Sequence, residues 1–324
     1  KLALRFSLLS AMSIFGVALA GGSAQAGALL QNGNTFLGVN DQGHLNFVTD
    51  GPATPDSQDF LFGAFGNGPY GLFRNGVGDS TSPGCLCEGW GVAATTPAGT
   101  RISGGADEET GITGLAPGGT FGSTANTATS IVELAGQPIR VTHQYGPSLA
   151  PEVFQGTVSI RNLSDDTAFE DLVYRRAMDW DIPPTEFDEF VTHQGVEANL
   201  VTNGGNVRAA VDNGFVGGNN VNTPLSEFDE IVDGTFNTDF VDAGPADHGS
   251  AFDFAFGDLA PGETRNFNIF YGSAPNEDTA ENAVENILNA DVYSFGQANN
   301  FSDDPELGNP DGEPATFIFA FGGV

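Results

Sequence analysis

The chain has 324 residues, enough for one large β domain or two ordinary ones, and either can bury a full core. Its 42 acidic and 10 basic residues give a formal net charge of −32, which argues against nucleic acid and anionic membranes as partners. Lys1 is the only lysine, so Schiff-base and lysine general-base chemistry are closed to everything after it.

Lys1 and Arg5 precede an apolar run from Phe6 to Ala20 and small residues ending Ala24-Gln25-Ala26. A charged start, a short apolar stretch and an A-x-A site predict a secretory signal peptide over 1–26, cut after Ala26. The run is too short, and too interrupted by Ser7, Ser10, Ser13 and Gly16, to serve as an anchor, and no later stretch has the composition of a bilayer span. Without Lys1 and Arg5, 42 acidic residues face 8 basic ones, a net charge of −34. Such a surface suits a saline exterior or loading with divalent cations.

Beyond residue 26 the apolar periodicity is nearly all two, the period of strands. Thr35–Val39 and His44–Val48, around Asn40-Asp41-Gln42-Gly43, read as a hairpin, and Asp50–Gly89 as long ordered loops rich in Gly, Pro and Phe. Cys85 and Cys87 lie in that segment; export favours a disulfide between them, and no His or Cys lies near in sequence to complete a zinc shell. Pro138–Tyr145, Phe154–Arg161 and Leu172–Asp181 predict three adjacent antiparallel strands because their connections are short. Two more strands are expected around Asn203-Gly204-Gly205-Asn206, then an acidic, Asn-rich insertion over Asn213–Phe240. Phe252, Phe254 and Phe256 alternate on one strand, and Thr264–Tyr271 is read as its hairpin partner. Asn276 caps a helix predicted over 277–289, with Ala280, Ala283, Val284, Ile287 and Leu288 at helical spacing. The expected organisation is a loop-rich part over 27–129, a main part over 130–298, an acidic linker over 299–314 and a terminal strand over 315–324. The predicted class is all-β, a large antiparallel β-sandwich, as one body or two halves sharing a core, with one short helix near the C-terminus.

The densest chemistry lies at Leu172–Asp181 and the residues after it. Alternation puts Leu172, Tyr174, Met178 and Trp180 on a core face and Arg175, Asp179 and Asp181 on the other. Pro183 and Pro184 end the strand, and Glu186, Asp188 and Glu189 follow. Three readings fit. Asp179, Asp181, Glu186, Asp188 and Glu189 are hard oxygen ligands for Ca2+, although no EF-hand loop is present. Arg175 on the same face offers an ion pair instead. Asp179 and Asp181, about 7 Å apart on one strand face, also have the spacing of a glycosidase pair; Glu186 and His193 would join them, and Trp90 or Trp180 would give a sugar platform. No H-x-H, H-E-x-x-H, G-x-S-x-G, P-loop or dinucleotide pattern occurs, and His248 sits in a Gly-rich loop where it can join Asp179 or His193. Phe317, Phe319 and Phe321 give the terminal strand an aromatic face, suited to pairing in its own sheet or to adding to another copy and building a fibre.

Pro83–Val92, Tyr174–Val191, Gly244–Gly249, Leu259–Arg265 and Tyr293–Gly296 together resemble secreted bacterial proteins of the exosortase-associated PEP-CTERM class. The Pro-Glu-Pro motif, apolar helix and basic tail of that class do not occur in the sequence through Val324. The resemblance implies a surface or matrix component. The resulting expectation is an exported structural or adhesive protein, self-associating and calcium-stabilised; the rival is a carbohydrate-active protein, hydrolase, lyase or binding module, acting on surface polysaccharide.

Overall fold

A computed structural model describes residues 27–48, 69–216, 220–299 and 313–324. The predicted signal peptide, much of the Asp50–Gly89 segment and most of the acidic linker lie outside the described residues.

Alternating side chains need two faces to bury, and the chain supplies them with two packed sheets. The broad sheet has nine strands, in the order Thr120–Ser123, Ala128–Glu133, Ile139–Pro147, Val153–Asn162, Thr264–Ala274, Thr316–Gly322, Val292–Gln297, Glu189–Gln194 and Phe240–Ala246. The narrow sheet has six, Val207–Val211, Gly249–Leu259, Phe169–Asp179, Gly89–Thr95, Arg101–Asp107 and Gly111–Thr113. Strands from both sides of residue 130 enter the broad sheet, so the two predicted parts share one sandwich. Between the sheets, Trp90, Val92, Tyr174, Met178, Phe252 and Phe254 meet Val141, Val158, Ile160, Phe267, Ile269 and Phe319 in one continuous core. The outer face of the broad sheet is covered by the predicted helix, which runs Glu277–Glu281 and continues as a π turn over Asn282–Ile287, with Asn276 accepting from the Thr279 N–H at 3.0 Å.

Several predicted pairings fall out differently, each because another partner takes the strand's edge. Phe169–Asp179 does not lie beside Val153–Asn162; the chain crosses to the other sheet, and Thr264–Ala274 takes the vacated edge. Asn162 fixes that crossing by donating to Thr167 O, Leu259 O and Ala260 O. Likewise Gly249–Leu259 and Thr264–Ala274 are consecutive but sit in opposite sheets, so the predicted hairpin is a corner whose phenylalanines converge from two sides. Around Asn40–Gly43 the turn forms, yet the return arm makes no ladder with Thr35–Asn40, whose edges are taken by Gly27–Asn32 and Leu72–Arg74, and the Leu45 N–H goes instead to Glu88 Oε2 at 2.6 Å. Val196–Asn199 is a helical turn where a strand was expected: Asp239 Oδ1 accepts from the Val196 and Glu197 N–H groups and holds its first turn.

The terminal strand Thr316–Gly322 is internal to the broad sheet, hydrogen-bonded to Thr264–Ala274 on one side and Val292–Gln297 on the other. Phe317, Phe319 and Phe321 are fully buried, Phe319 against Phe252 and Tyr271 and Phe321 against Phe254. With both edges occupied, the strand pairs inside its own sheet, the first of the two roles its aromatic face suits.

Candidate metal centre

Leu172, Tyr174, Met178 and Trp180 face the core, as their alternation requires. Arg176 shares that parity and is buried with them. Its Nε donates to Glu88 Oε1 at 2.5 Å, its Nη1 to Gly43 O and its Nη2 to Tyr145 Oη, while Tyr271 Oη donates to the same Glu88 oxygen at 2.7 Å. On the opposite face, Arg175 pairs with Asp253 through two hydrogen bonds of 2.6 and 2.8 Å. The ion pair that sequence suggested between Arg175 and the downstream carboxylates is therefore absent, because the neighbouring strand supplies a closer partner. Asp179 and Asp181 are left without a basic partner among the described residues.

Their setting is a double crossover. After Asp179 the chain leaves the narrow sheet and enters the broad one at Glu189; the strand beside it, Phe240–Ala246, returns to the narrow sheet at Gly249. The two crossings lie side by side and bring Asp179, Asp181, Glu189 and Asp247 together. Backbone approach is tight: a Cβ on Gly249 would stand 2.1 Å from Met178 O, and one on Gly214 would stand 2.4 Å from the Asp179 Cα. Asp181 is tied down by its N–H to Ser80 O at 2.9 Å, and Trp180 by its indole N–H to Ser294 Oγ at 3.2 Å.

One carboxylate oxygen from each of Asp179, Asp181 and Asp247 lies within 4.8 Å of the others, close enough to hold a metal ion. Asp179, Asp181 and Glu189 are almost completely buried, whereas Asp247 is exposed and gives the cluster its solvent side. Asp179 Oδ1, both Asp181 oxygens and Glu189 Oε2 are buried without a hydrogen-bond partner. Burial, and then repulsion from Asp247 at Asp179 and from Asp179 and Glu189 at Asp181, pushes both pKa values well above the ordinary carboxylate range. Glu189 is pushed up to about 10 by burial, against the opposing pull of the His248 N–H on its Oε1. Gly84, at φ +70°, roofs the cluster where a Cβ would stand 3.1 Å from Asp181 Oδ1.

The other predicted residues fall around this centre. Glu186 is half-buried and adds its charge to the field at Asp181. Asp188 faces away and accepts from Asn299 Nδ2 at 2.8 Å. Cys85 and Cys87 form a disulfide, and Cys85 Sγ lies 3.3 Å from Asp179 Oδ2. His193 is buried in a chain with Ser250 and Ser294, at 2.7 and 2.6 Å, and burial drives its pKa down to about 3. A histidine so held is neutral and reaches no groove. Trp90 and Trp180 are both fully buried, so neither forms the sugar platform the carbohydrate reading requires.

Sequence reasoning missed three of the acidic residues described above or in contact with them. Asp247 was visible only as a neighbour of His248, and Asp212 not at all. Asp212 accepts from the Ile231 and Val232 N–H groups, from Thr235 Oγ1 and from the His248 ring at 3.2 Å; burial alone would raise its pKa, but these bonds bring it below the ordinary value. His248 Nε2 lies 3.2 Å from Glu189 O, so the Asp212–His248 pair fixes the backbone of a cluster member. Glu88 was passed over as part of the cysteine motif.

Fold and site together define an antiparallel β-sandwich with a buried, uncompensated carboxylate cluster where its sheets are joined. No protein-family model matches the chain, and no curated protein matches it at a significant level.

Proposed function

We propose that the protein is an exported structural or adhesive β-sandwich, of the bacterial surface or extracellular matrix, whose sheet-joining end is locked by Ca2+. The observation that carries this reading is the group of buried, unpartnered oxygens on Asp179, Asp181 and Glu189, with Asp247 at the mouth. Buried carboxylates without a cation are costly, and the available remedies are protonation or a bound metal. All-oxygen donors of this kind, from two adjoining crossings with an open side for water, suit Ca2+ better than Zn2+ or Cu2+. Export is supported by the signal-like start of the sequence, the disulfide Cys85–Cys87, the acidic surface and the resemblance to the PEP-CTERM class.

The test is thermal unfolding and calorimetric titration of the chain from Gly27 onward, with Ca2+ and with a chelator. Calcium should raise the melting temperature and bind in a single class of sites, and Asp181→Asn should remove both effects. An unchanged melting temperature in wild-type protein would rule out the calcium part.

A further inference from the structure

Thr316 and Gln297 are direct partners across the ladder between the two C-terminal strands of the broad sheet. Both side chains lie on its outer face, with Phe295 and Ile318 as their next same-face neighbours. Thr316 is 0% and Gln297 1% exposed. Neither the Thr316 hydroxyl nor either end of the Gln297 amide makes a hydrogen bond of ordinary geometry. Directly opposed residues bring their Cβ atoms to about 5 Å, within side-chain reach. A buried hydroxyl and a buried amide that face one another without a hydrogen bond between them are a costly pair, and side by side they should have satisfied one another. Beside them stands Glu277, from the first turn of the helix, its carboxyl against the Gln297 amide; burial pushes its pKa up, the Gln297 amide pulls it back, and Asp242 and Asp278 add smaller upward contributions.

We propose that Thr316 and Gln297 are joined by a side-chain ester, formed within the folded chain by attack of Thr316 Oγ1 on Gln297 Cδ. The Oγ1–H bond breaks and an Oγ1–Cδ bond forms; the Cδ–Nε2 bond then breaks, and the nitrogen leaves as ammonia. The hydroxyl proton is taken by the Glu277 carboxylate and returned to the leaving nitrogen, so Glu277 ends as it began. No oxidation state changes and no co-reactant is consumed. The product removes every unbonded donor at once, since the hydroxyl hydrogen and both amide hydrogens depart together. An ester is also the cross-link open to this composition, because a lysine amide bond needs a lysine and none follows Lys1. It would tie the two strands together at the mouth of the segment that connects them.

The test is intact-mass measurement of the full folded chain, with peptide mapping. The wild-type mass should fall short of the sequence mass, after allowing for the disulfide, by one ammonia, and fragmentation should place the link between the peptides holding Gln297 and Thr316. Hydroxylamine should cleave the link. Thr316→Val and Gln297→Leu should each abolish the ammonia deficit, Thr316→Ser should keep it, and Glu277→Gln should leave a fraction of the chains unlinked. Succinimide formation at an Asn would give the same deficit in Thr316→Val and thereby overturn the assignment. A wild-type mass equal to the sequence mass would overturn it outright, independently of any calcium result.

Discussion

Two buried charge centres occupy this sandwich, and they are built on opposite plans. Glu88 and Arg176, between the sheets, are both fully buried, and each oxygen and nitrogen that faces the other strand finds a partner in Tyr145, Tyr174, Tyr271 or a backbone group. Asp179, Asp181 and Glu189, at the sheet-joining end, are buried to a similar degree but carry one sign of charge and unpartnered oxygens. The first centre is complete with protein alone; the second needs a proton or a cation. Equal burial thus separates a fixture of the fold from a site that responds to its surroundings.

The largest effect should come from breaking the complete centre. Glu88→Ala leaves the Arg176 guanidinium buried without its anion and should cost about 3–5 kcal/mol, read from the urea midpoint, whereas Glu88→Leu with Arg176→Met should recover much of it. If the single substitution costs no more than an exposed one, the two centres do not differ as described.

Next in size is the pH response of the incomplete centre. Burial raises the Glu189 pKa from 4.5 to about 10, so without metal the folded state holds a proton that the unfolded chain releases. Stability of calcium-free protein is therefore full below the ordinary value and falls as pH rises toward 10, with Asp179 and Asp181 adding to the slope. Saturating Ca2+ should flatten that slope, and a chelated protein that gains stability between pH 5 and pH 9, roughly the span over which these groups titrate, would contradict it.

A smaller effect follows from mass action. Calcium at about a hundred times its dissociation constant should add about 2.7 kcal/mol, a rise of roughly 5 °C in melting temperature, absent in Asp181→Asn. The smallest concerns the roof. Gly84→Ala places a Cβ 2.5 Å from the Phe187 ring and 3.1 Å from Asp181 Oδ1 at positive φ, and should cost about 1 kcal/mol and weaken calcium binding several-fold. Titration calorimetry of the variant checks the second part.

The contrast also marks what the sequence could disclose. Period-two alternation placed Leu172, Tyr174, Met178 and Trp180 correctly, and the density of acids after Asp179 lies at the end where Asp179, Asp181 and Asp247 converge. The same alternation assigns Arg176 to the core, but a charged residue at a core position is legible only when its partner is known, and Glu88 lies 88 residues away. Asp247 joins the cluster because two crossings run side by side, a property of which sheet each strand enters. Short connections suggested adjacency for Ile139–Pro147, Val153–Asn162 and Phe169–Asp179; the third went to the other sheet because Asn162 turned the chain. Local pattern shows which face a residue takes, while competition for strand edges decides whom it meets.

The interior position of Thr316–Gly322 bears on biosynthesis. Its two neighbours, Thr264–Ala274 and Val292–Gln297, precede it in the chain yet do not pair with one another, so the broad sheet stays split until residues 316–322 have left the ribosome. Late closure of long-range ladders leaves the phenylalanine-rich core between the sheets open to water until the last strand is in place.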